Sequence, residues 1–494
     1  EAHCISQWGY DFRPSYLQIA EIRRVKPDAP VLALTATATR RVMDDIMERL
    51  QFREKKVFRM SFKRDNLAYV VREALDKYAE LLHILKSVEG SAIIYTRSRR
   101  RSKVVSEWLE QQGVSATFYH AGLEPAIKDE RQKLWQTDKK RVMAATNAFG
   151  MGIDKPNVRL VIHLDCPDSV EAYFQEAGRA GRDGKKAYAI LLWNGHDHAV
   201  LAKRIKTTFP SKEIVRDVYD HLAYFFQVGL GSGNGHTFTF NIDQFCYIYH
   251  FYPLYVNSAL HILQSAGYIE YETDPDARAR LRFLLGRDEL YKLYETTPNE
   301  EAVISALLRN YSGLFSDYRY VEEALISQVS GLSQNEVYLI LKSLSHRRIL
   351  HFIPQRKTPF ITYTQDRIDG CDVVIPASVY DQRKEQFIKH VNAIEAYATN
   401  NHVCRSRQLL RYFDETKSED CGICDVCVDH QPNPNAEQEF KDAKQAILDL
   451  LADHKPHDIK ETSELLLPRK AFKEALKYLC NEELVHIDGL MIYR

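Results

Sequence analysis

Two arginines three residues apart in "QEAGRAGRDG" (Gln175 to Gly184) carry the sharpest chemical signal in the chain. At that spacing near a helix end, Arg179 and Arg182 can turn both guanidinium forks toward one anion, and Gly178 and Gly181 remove side chains that would obstruct them. Charge neutralisation of this kind is what phosphoryl transfer requires from a neighbouring domain. The plain alternative, a pair of surface salt-bridging arginines, fits poorly with the adjoining glycines and Gln175. A second cluster, Cys404, Cys421, Cys424 and Cys427, has the spacing C-x16-C-x2-C-x2-C and supplies four thiolates, enough for a closed tetrahedral metal site. The loop between them, "FDETKSEDCGICDVC", is too polar to hold itself without a metal. Structural zinc is the favoured reading. An iron–sulfur cluster is the alternative, because C-x2-C-x2-C also opens ferredoxin runs, but the next cysteine, Cys480, is distant and no C-P follows. His402 and His430 flank the cluster and read as surface residues, not ligands.

The elements that must position these residues are of two kinds. From about residue 30 to 205 the chain alternates β-rich runs with helical patterns. "PVLALTAT" (Pro30 to Thr37), "SAIIYT" (Ser91 to Thr96), "RVMAAT" (Arg141 to Thr146) and "VRLVIHL" (Val158 to Leu164) read as buried parallel strands. "SRRRSKVVSEWLEQQG" between them reads as a helix ending at Gly113. The pattern predicts an α/β fold with a parallel sheet, restarting near "SFKRDNLAYVV" (Ser61 to Val71), hence two units of which the first is incomplete. Ligands of such sheets bind at the carboxyl ends of strands, where "TATAT" (Thr35 to Thr39) and the glycine-bearing "TNAFGMGID" (Thr146 to Asp154) fall. The basic runs "TRSRRRSK" (Thr96 to Lys103) and "KDERQKLWQTDKKR" (Lys128 to Arg141) read first as solvated helix faces.

Beyond residue 210 one pattern occurs three times: Leu260, Leu263 and Ile269; Leu341, Leu344 and Leu350; Leu476, Leu479 and Val485. Each set puts apolar residues on a helix face and then enters a strand whose next inward residue is Tyr271, Phe352 or Ile487. A helix feeding into a β-ribbon is how a winged helix ends; a plain helix–hairpin unit is the alternative. "FCYIYHFYPLYV" (Phe245 to Val256) is rich in aromatics that would stack bases or, more simply, form the core of a small helical domain.

Bulk properties set the outer limits. The chain has 494 residues, 45% of them apolar, without the uninterrupted apolar run of a membrane span or the pattern of a signal peptide, so a cytoplasmic location is expected, with no membrane partner. Lys plus Arg and Asp plus Glu both number 67, so the net field gives no reason to expect a polyanion, and any nucleic-acid contact must come from local clusters.

Taken in order, "EAHC", "TATAT", "YHAGL" (Tyr119 to Leu123), "TNAFGMGID" and "QEAGRAGRDG" resemble the motifs of superfamily 2 helicases. "EAHCISQWGYDFRPSY", "GMGIDKPNVR" and "GRAGRDG" resemble the RecQ family of DNA helicases in particular, over residues 1 to about 205 and about 385 to 430. The resemblance implies ATP, Mg2+ and Zn2+ as cofactors, and single-stranded and forked double-stranded DNA as partners. It also implies 3′-to-5′ unwinding in recombination and repair. Contact with a single-strand-binding protein is not readable from these residues. It implies that Glu1 polarises the attacking water, that Arg179 and Arg182 act on the γ-phosphate, and that Gln175 couples the lobes. His3, Thr35, Thr37 and Asp154 would link nucleotide state to lobe motion, Asp154 near the nucleotide sugar. Trp8, Phe12 and Arg13 would sense single-stranded DNA by stacking, with Tyr10 standing where the family pattern has a histidine. The implied layout is 1–60, the carboxyl-terminal part of a first RecA-like lobe; 61–207, the second lobe; 208–380, an inserted helical and winged-helix-like region; 381–431, the zinc module; and 436–494, a terminal winged helix. No G-x-x-x-x-G-K followed by Ser or Thr occurs, so the chain is expected to be the carboxyl-terminal portion of a longer polypeptide, inactive alone. The competing expectation is a non-catalytic DNA-binding protein of zinc and winged-helix modules attached to an inert lobe.

Overall fold

The computed structural model of the chain describes residues 1–6, 14–150, 153–272, 279–290, 296–316, 318–354, 359–431, 434–458, 469–488 and 491–494. Two compact units result, one formed by Glu1–Ile205 with Arg383–Arg494, the other by Lys206–Gln382. Among the described residues no helix is long and apolar enough to cross a membrane.

The first unit is built on six parallel strands, β1 (Leu67–Glu73), β2 (Ser91–Tyr95), β3 (Ala116–Tyr119), β4 (Val142–Ala145), β5 (Val158–His163) and β6 (Ala187–Trp193), in the order β1-β6-β5-β2-β4-β3. β2 and β4 are buried at every position, as strands covered on both faces must be. Alternation along β2 sends Ile93 and Tyr95 into one core and Ala92 and Ile94 into the other. Asp76, Ser98 and Ser169 each accept a backbone N–H at the start of the next helix, so the chain turns sharply after the strand ends and leaves the carboxyl edge open.

The stretch Pro30–Thr37 corrects the sequence reading, since it joins no sheet among the described residues. Its period of two survives. Val31 and Ala33 pack on the Arg40–Arg49 helix, whereas Leu32 and Leu34 are 76% and 66% exposed. A strand is defined by its ladder, and alternation alone does not supply the paired neighbours.

After a gap of nearly 180 residues the chain returns to the first unit. Val391, Ile394, Tyr397 and Ala398 of the Asp381–Thr399 helix enter the same core as Tyr173 and Leu201. Asp425 accepts the Val71 N–H at 3.0 Å, satisfying a backbone donor of β1, an outer strand of the sheet. The terminal segment follows as the Ala436–Leu450 helix, β13 (His457–Asp458), the Arg469–Asn481 helix, β14 (His486–Asp488) and β15 (Met491–Tyr493), with sheet order β13-β15-β14. Leu479, Val485 and Ile492 are buried here, but Ile487 is 46% exposed and not the inward residue expected. It faces the same side as Ile492, yet sits on the edge strand, beyond the cover of the helices.

The second unit holds β7 (Thr237–Thr239), β8 (Ile269–Glu272), β9 (Arg280–Phe283), β10 (Arg319–Tyr320), β11 (Leu350–Ile353) and β12 (Phe360–Tyr363), in two sheets ordered β7-β12-β8 and β10-β9-β11. The first sheet, with the helices Lys212–Phe226, Ile242–Tyr249 and Pro253–Ser265, is a winged helix whose two wing strands are β8 and β12. The chain between those strands forms a second winged helix around the helices Pro298–Asn310, Glu323–Ser330 and Gln334–His346. Its central strand β9 comes first in sequence instead of last, so this module is circularly permuted and nested in the wing of the other. Leu260, Leu263, Ile269, Leu341, Leu344 and Leu350 are all buried, as their repeated spacing predicted. Within the aromatic run, Phe245 is buried, Tyr249 and Phe251 pack against the core, and Tyr247 and Tyr252 are exposed.

Candidate functional site

At the carboxyl edge of the parallel sheet, the amino-terminal segment and the loops of the sheet body enclose a cleft of about 920 Å3. Glu1, Thr35 and Thr37 line one wall; Gly150, Asp154, Gln175, Arg179 and Arg182 line the other. Residues far apart in sequence thus line one cleft, and several touch. Gln175 Nε2 lies 3.3 Å from each carboxylate oxygen of Glu1. Behind Glu1, His3 is buried, with Nδ1 3.3 Å from Glu1 Oε2 and 3.1 Å from Thr35 Oγ1. The Thr35 hydroxyl also accepts the Thr37 N–H at 3.3 Å.

The arginine loop starts where the Val170–Ala177 helix stops at Gly178, and turns at Gly181, whose φ is +64°. Arg179 Nη1 donates to Gly150 O at 2.6 Å, and a Cβ at position 150 would collide with Arg179 Nη2. Arg182 Nη1 donates to Ile153 O at 3.1 Å and to Asp154 Oδ1 at 2.9 Å. Asp154 is largely exposed, so an incoming anion can compete with it for the Arg182 fork. Two buried polar atoms here have no hydrogen-bond partner among the described residues: Thr37 Oγ1 and Arg179 Nε. Orphans of this kind in an open cleft fit a phosphorylated ligand.

Sequence reasoning missed Arg64 and Asn66. Arg64 Nη2 donates to Ala180 O and Gly181 O at 2.9 and 3.0 Å, and Asn66 Nδ2 donates to Gly181 O at 2.7 Å. Together they clamp the carbonyls of the loop that carries both arginines. The one available signal was their place in "FKRDN", directly before β1. The expected DNA-sensing residues Trp8, Tyr10, Phe12 and Arg13 lie outside the described residues.

The four cysteines form a separate centre. Their sulfurs lie within 4.8 Å of one another, with Cys404 and Cys424 buried and Cys421 and Cys427 partly so. Three backbone amides point at sulfur: Cys421 N–H at Cys404 Sγ (3.3 Å), and those of Arg405 and Cys427 at Cys424 Sγ (3.4 Å each). Four thiolates at this separation repel one another strongly and require a cation, and the amides orient the sulfur lone pairs for one. The donor set therefore fits zinc. His402 and His430 are exposed and not part of the cluster. Arg405, 1% exposed, holds the centre to the helices: it donates to both oxygens of Asp425, to Tyr397 O, to Asn400 O and to Asn401 Oδ1.

A parallel-sheet lobe with paired arginines in a glycine loop, a four-sulfur module packed in the same unit, and winged helices define a class: a RecA-like lobe joined in one chain to zinc-binding and winged-helix modules. Comparison with known proteins agrees. Residues 75–184 match the helicase conserved C-terminal domain, 281–354 the RecQ helicase winged-helix domain of Bacteroidota, and 364–428 the RecQ zinc-binding domain. The ATP-dependent DNA helicase RecQ of Haemophilus influenzae is 44% identical over 217 residues, covering 43% of this chain and 35% of that protein. RecQ-like DNA helicase BLM of Xenopus laevis is 45% identical over 206 residues, covering 40% of this chain and 15% of that protein. Among solved structures, S. cerevisiae Dbp5 bound to RNA and ADP BeF3 is 20% identical with a TM-score of 0.34, over 42% of this chain and 54% of that one. Over these stretches the chain is similar to RecQ helicases, and it spans about a third of the length of the bacterial relatives it matches.

Proposed function

We propose that the chain is the nucleotide-coupling and DNA-engaging part of an ATP-driven helicase that moves 3′ to 5′ and acts in recombination and repair. The observation that carries this reading is the convergence of Glu1, Thr35, Thr37, Gln175, Arg179 and Arg182 on one cleft built from two chain segments. ATP with Mg2+ is the substrate that fits it. Glu1 would orient and polarise the attacking water, held by His3 and Gln175, while Arg179 and Arg182 would neutralise charge on the transferred phosphoryl group. The Glu1–Gln175 contact joins the two walls, so strain at the phosphate end would pass to the Thr35–Thr37 segment and the DNA-sensing residues after Ser6. The zinc centre would act as a structural cross-link. Single-stranded and forked DNA would be the partners, with the terminal winged helix from Leu476 to Arg494 as a wedge at the fork, in the cytoplasm.

DNA-stimulated ATP hydrolysis by the complete gene product tests this reading. Arg182→Ala is expected to lose most turnover, by about 10²-fold or more, while keeping DNA affinity. Parallel loss of both would make Arg182 structural. DNA binding without any hydrolysis would favour the non-catalytic zinc and winged-helix reading.

A further inference from the structure

The nested winged helix presents an unusual outer sheet face. Leu281, Phe283, Leu350 and Phe352 point into its core, so the alternate residues of β9, β10 and β11 face outward. Register places Tyr320 opposite Arg280 and His351 opposite Arg282. Tyr318, two residues before Tyr320 and on the same face, lies under both guanidinium groups, with ring-centroid distances of 5.3 Å to Arg282 and 5.9 Å to Arg280, and its hydroxyl is 2.6 Å from His351 Nδ1. Tyr320 is 63% exposed, and Arg280 and His351 are also exposed. Neither Arg280 nor Arg282 has an ion-pair partner among the described residues, although carboxylates match cations in number across the chain. The wing strands β9 and β11 are not joined to each other as in an ordinary winged helix; each runs instead toward β8 or β12.

We infer that this outer face is a binding site for single-stranded DNA. Bases would stack on Tyr320 and on the Tyr318–arginine layer, and phosphates would pair with Arg280 and Arg282. Two arginines without an ion-pair partner among the described residues, beside an exposed aromatic, complement a polyanion whose bases are free to stack, and a duplex offers no such bases. The occupant rests on the helicase reading only for its source, the unwound strand; the recognition chemistry does not.

The test uses the whole chain, dT12, the matching duplex and rU12, without nucleotide. Iododeoxyuridine-substituted dT12 is expected to photocross-link to the peptide containing Tyr318 and Tyr320. Tyr320→Ala is expected to weaken dT12 binding about tenfold. Arg280→Ala with Arg282→Ala should flatten the slope of log affinity against log salt by about 1.4, at ~0.7 per phosphate contact on a single strand. Arg280→Lys with Arg282→Lys should restore most of that slope while leaving the cross-link in place, which a merely structural role would not produce. Cross-links confined to other peptides, unchanged affinity in correctly folded variants, or tighter binding of duplex or rU12 would each overturn the inference. This cross-link together with no DNA-stimulated ATP hydrolysis in the assay proposed above would count against the helicase reading alone.

Discussion

At the scale of single residues, the cleft depends on where two guanidinium groups are held. A Cβ added at Gly150 would overlap Arg179 Nη2, the far end of a flexible side chain. Gly150→Ala is therefore expected to fold with a melting temperature within a few degrees of wild type, yet to displace Arg179 and reduce ATP turnover of the complete protein about tenfold or more. Equal turnover in the two proteins would show that Arg179 does not need its anchor on Gly150. Arg64 poses a related case at one remove, since it touches the loop carbonyls and not the ligand wall's charged tips. Arg64→Ala should lower kcat with little change in DNA affinity, and Arg64→Lys should recover only part of it, because a lysine cannot fork between two carbonyls.

Between elements, the decisive contacts are polar and buried. Glu171 on the Val170–Ala177 helix accepts a hydrogen bond from Tyr412 Oη at 2.6 Å and lies 3.2 Å from His390 Nδ1, tying three helices together. Burial alone would push its carboxyl up, but the hydrogen bonds from His390 and Tyr412 hold it below the ordinary range. A carboxyl depressed in the folded state contributes stability that is fully present above its unfolded value of about 4.3 and is lost as pH falls through the folded value. The stability difference between wild type and Glu171→Gln, measured by denaturant unfolding from pH 7 to pH 3, should accordingly shrink with acidification below about pH 4.5. A difference independent of pH would mean that Glu171 is not ionised in the folded protein. Arg405 is the stronger case: Arg405→Ala leaves the partly buried Asp425 without its fork and Tyr397 O and Asn400 O without this donor, and about 3–5 kcal/mol of stability should go with it. None of this was legible beforehand. Glu171, His390 and Tyr412 show no motif, and a buried arginine looks in sequence like any surface arginine.

For the whole molecule, the sequence suggested that a long insertion separates the second lobe from its zinc module. The fold shows why the separation is tolerated: the chain leaves the first unit after residue 205, builds an independent unit with its own cores, and returns at residue 383 to finish the first. Stripping zinc with a chelator should release one zinc per chain and lower the calorimetric transition of the first unit, because four closely spaced thiols would lose the cation that joins the two segments carrying them. The transition of the 206–382 unit should stay where it was. A single transition that shifts as one would show that the two units unfold together.

What the sequence determined by itself was everything governed by short-range pattern or by fixed donor chemistry. The parallel strands Ser91–Tyr95, Val142–Ala145 and Val158–His163, the three helix-to-strand repeats and the four cysteines were all readable, because periodicity and ligand spacing are local properties. Where a residue's state depends on its neighbours across space, the sequence was silent or misleading. Pro30–Thr37 has strand alternation without a strand's partners, and Ile487 has an inward position on an edge that nothing covers. Tertiary structure alone decided that Glu1 meets Gln175, that Asp425 closes the edge of β1, and that one winged helix sits permuted inside the wing of another. Those are contacts between residues up to several hundred positions apart, and they are fixed by packing and hydrogen-bond satisfaction in three dimensions, which local pattern does not encode.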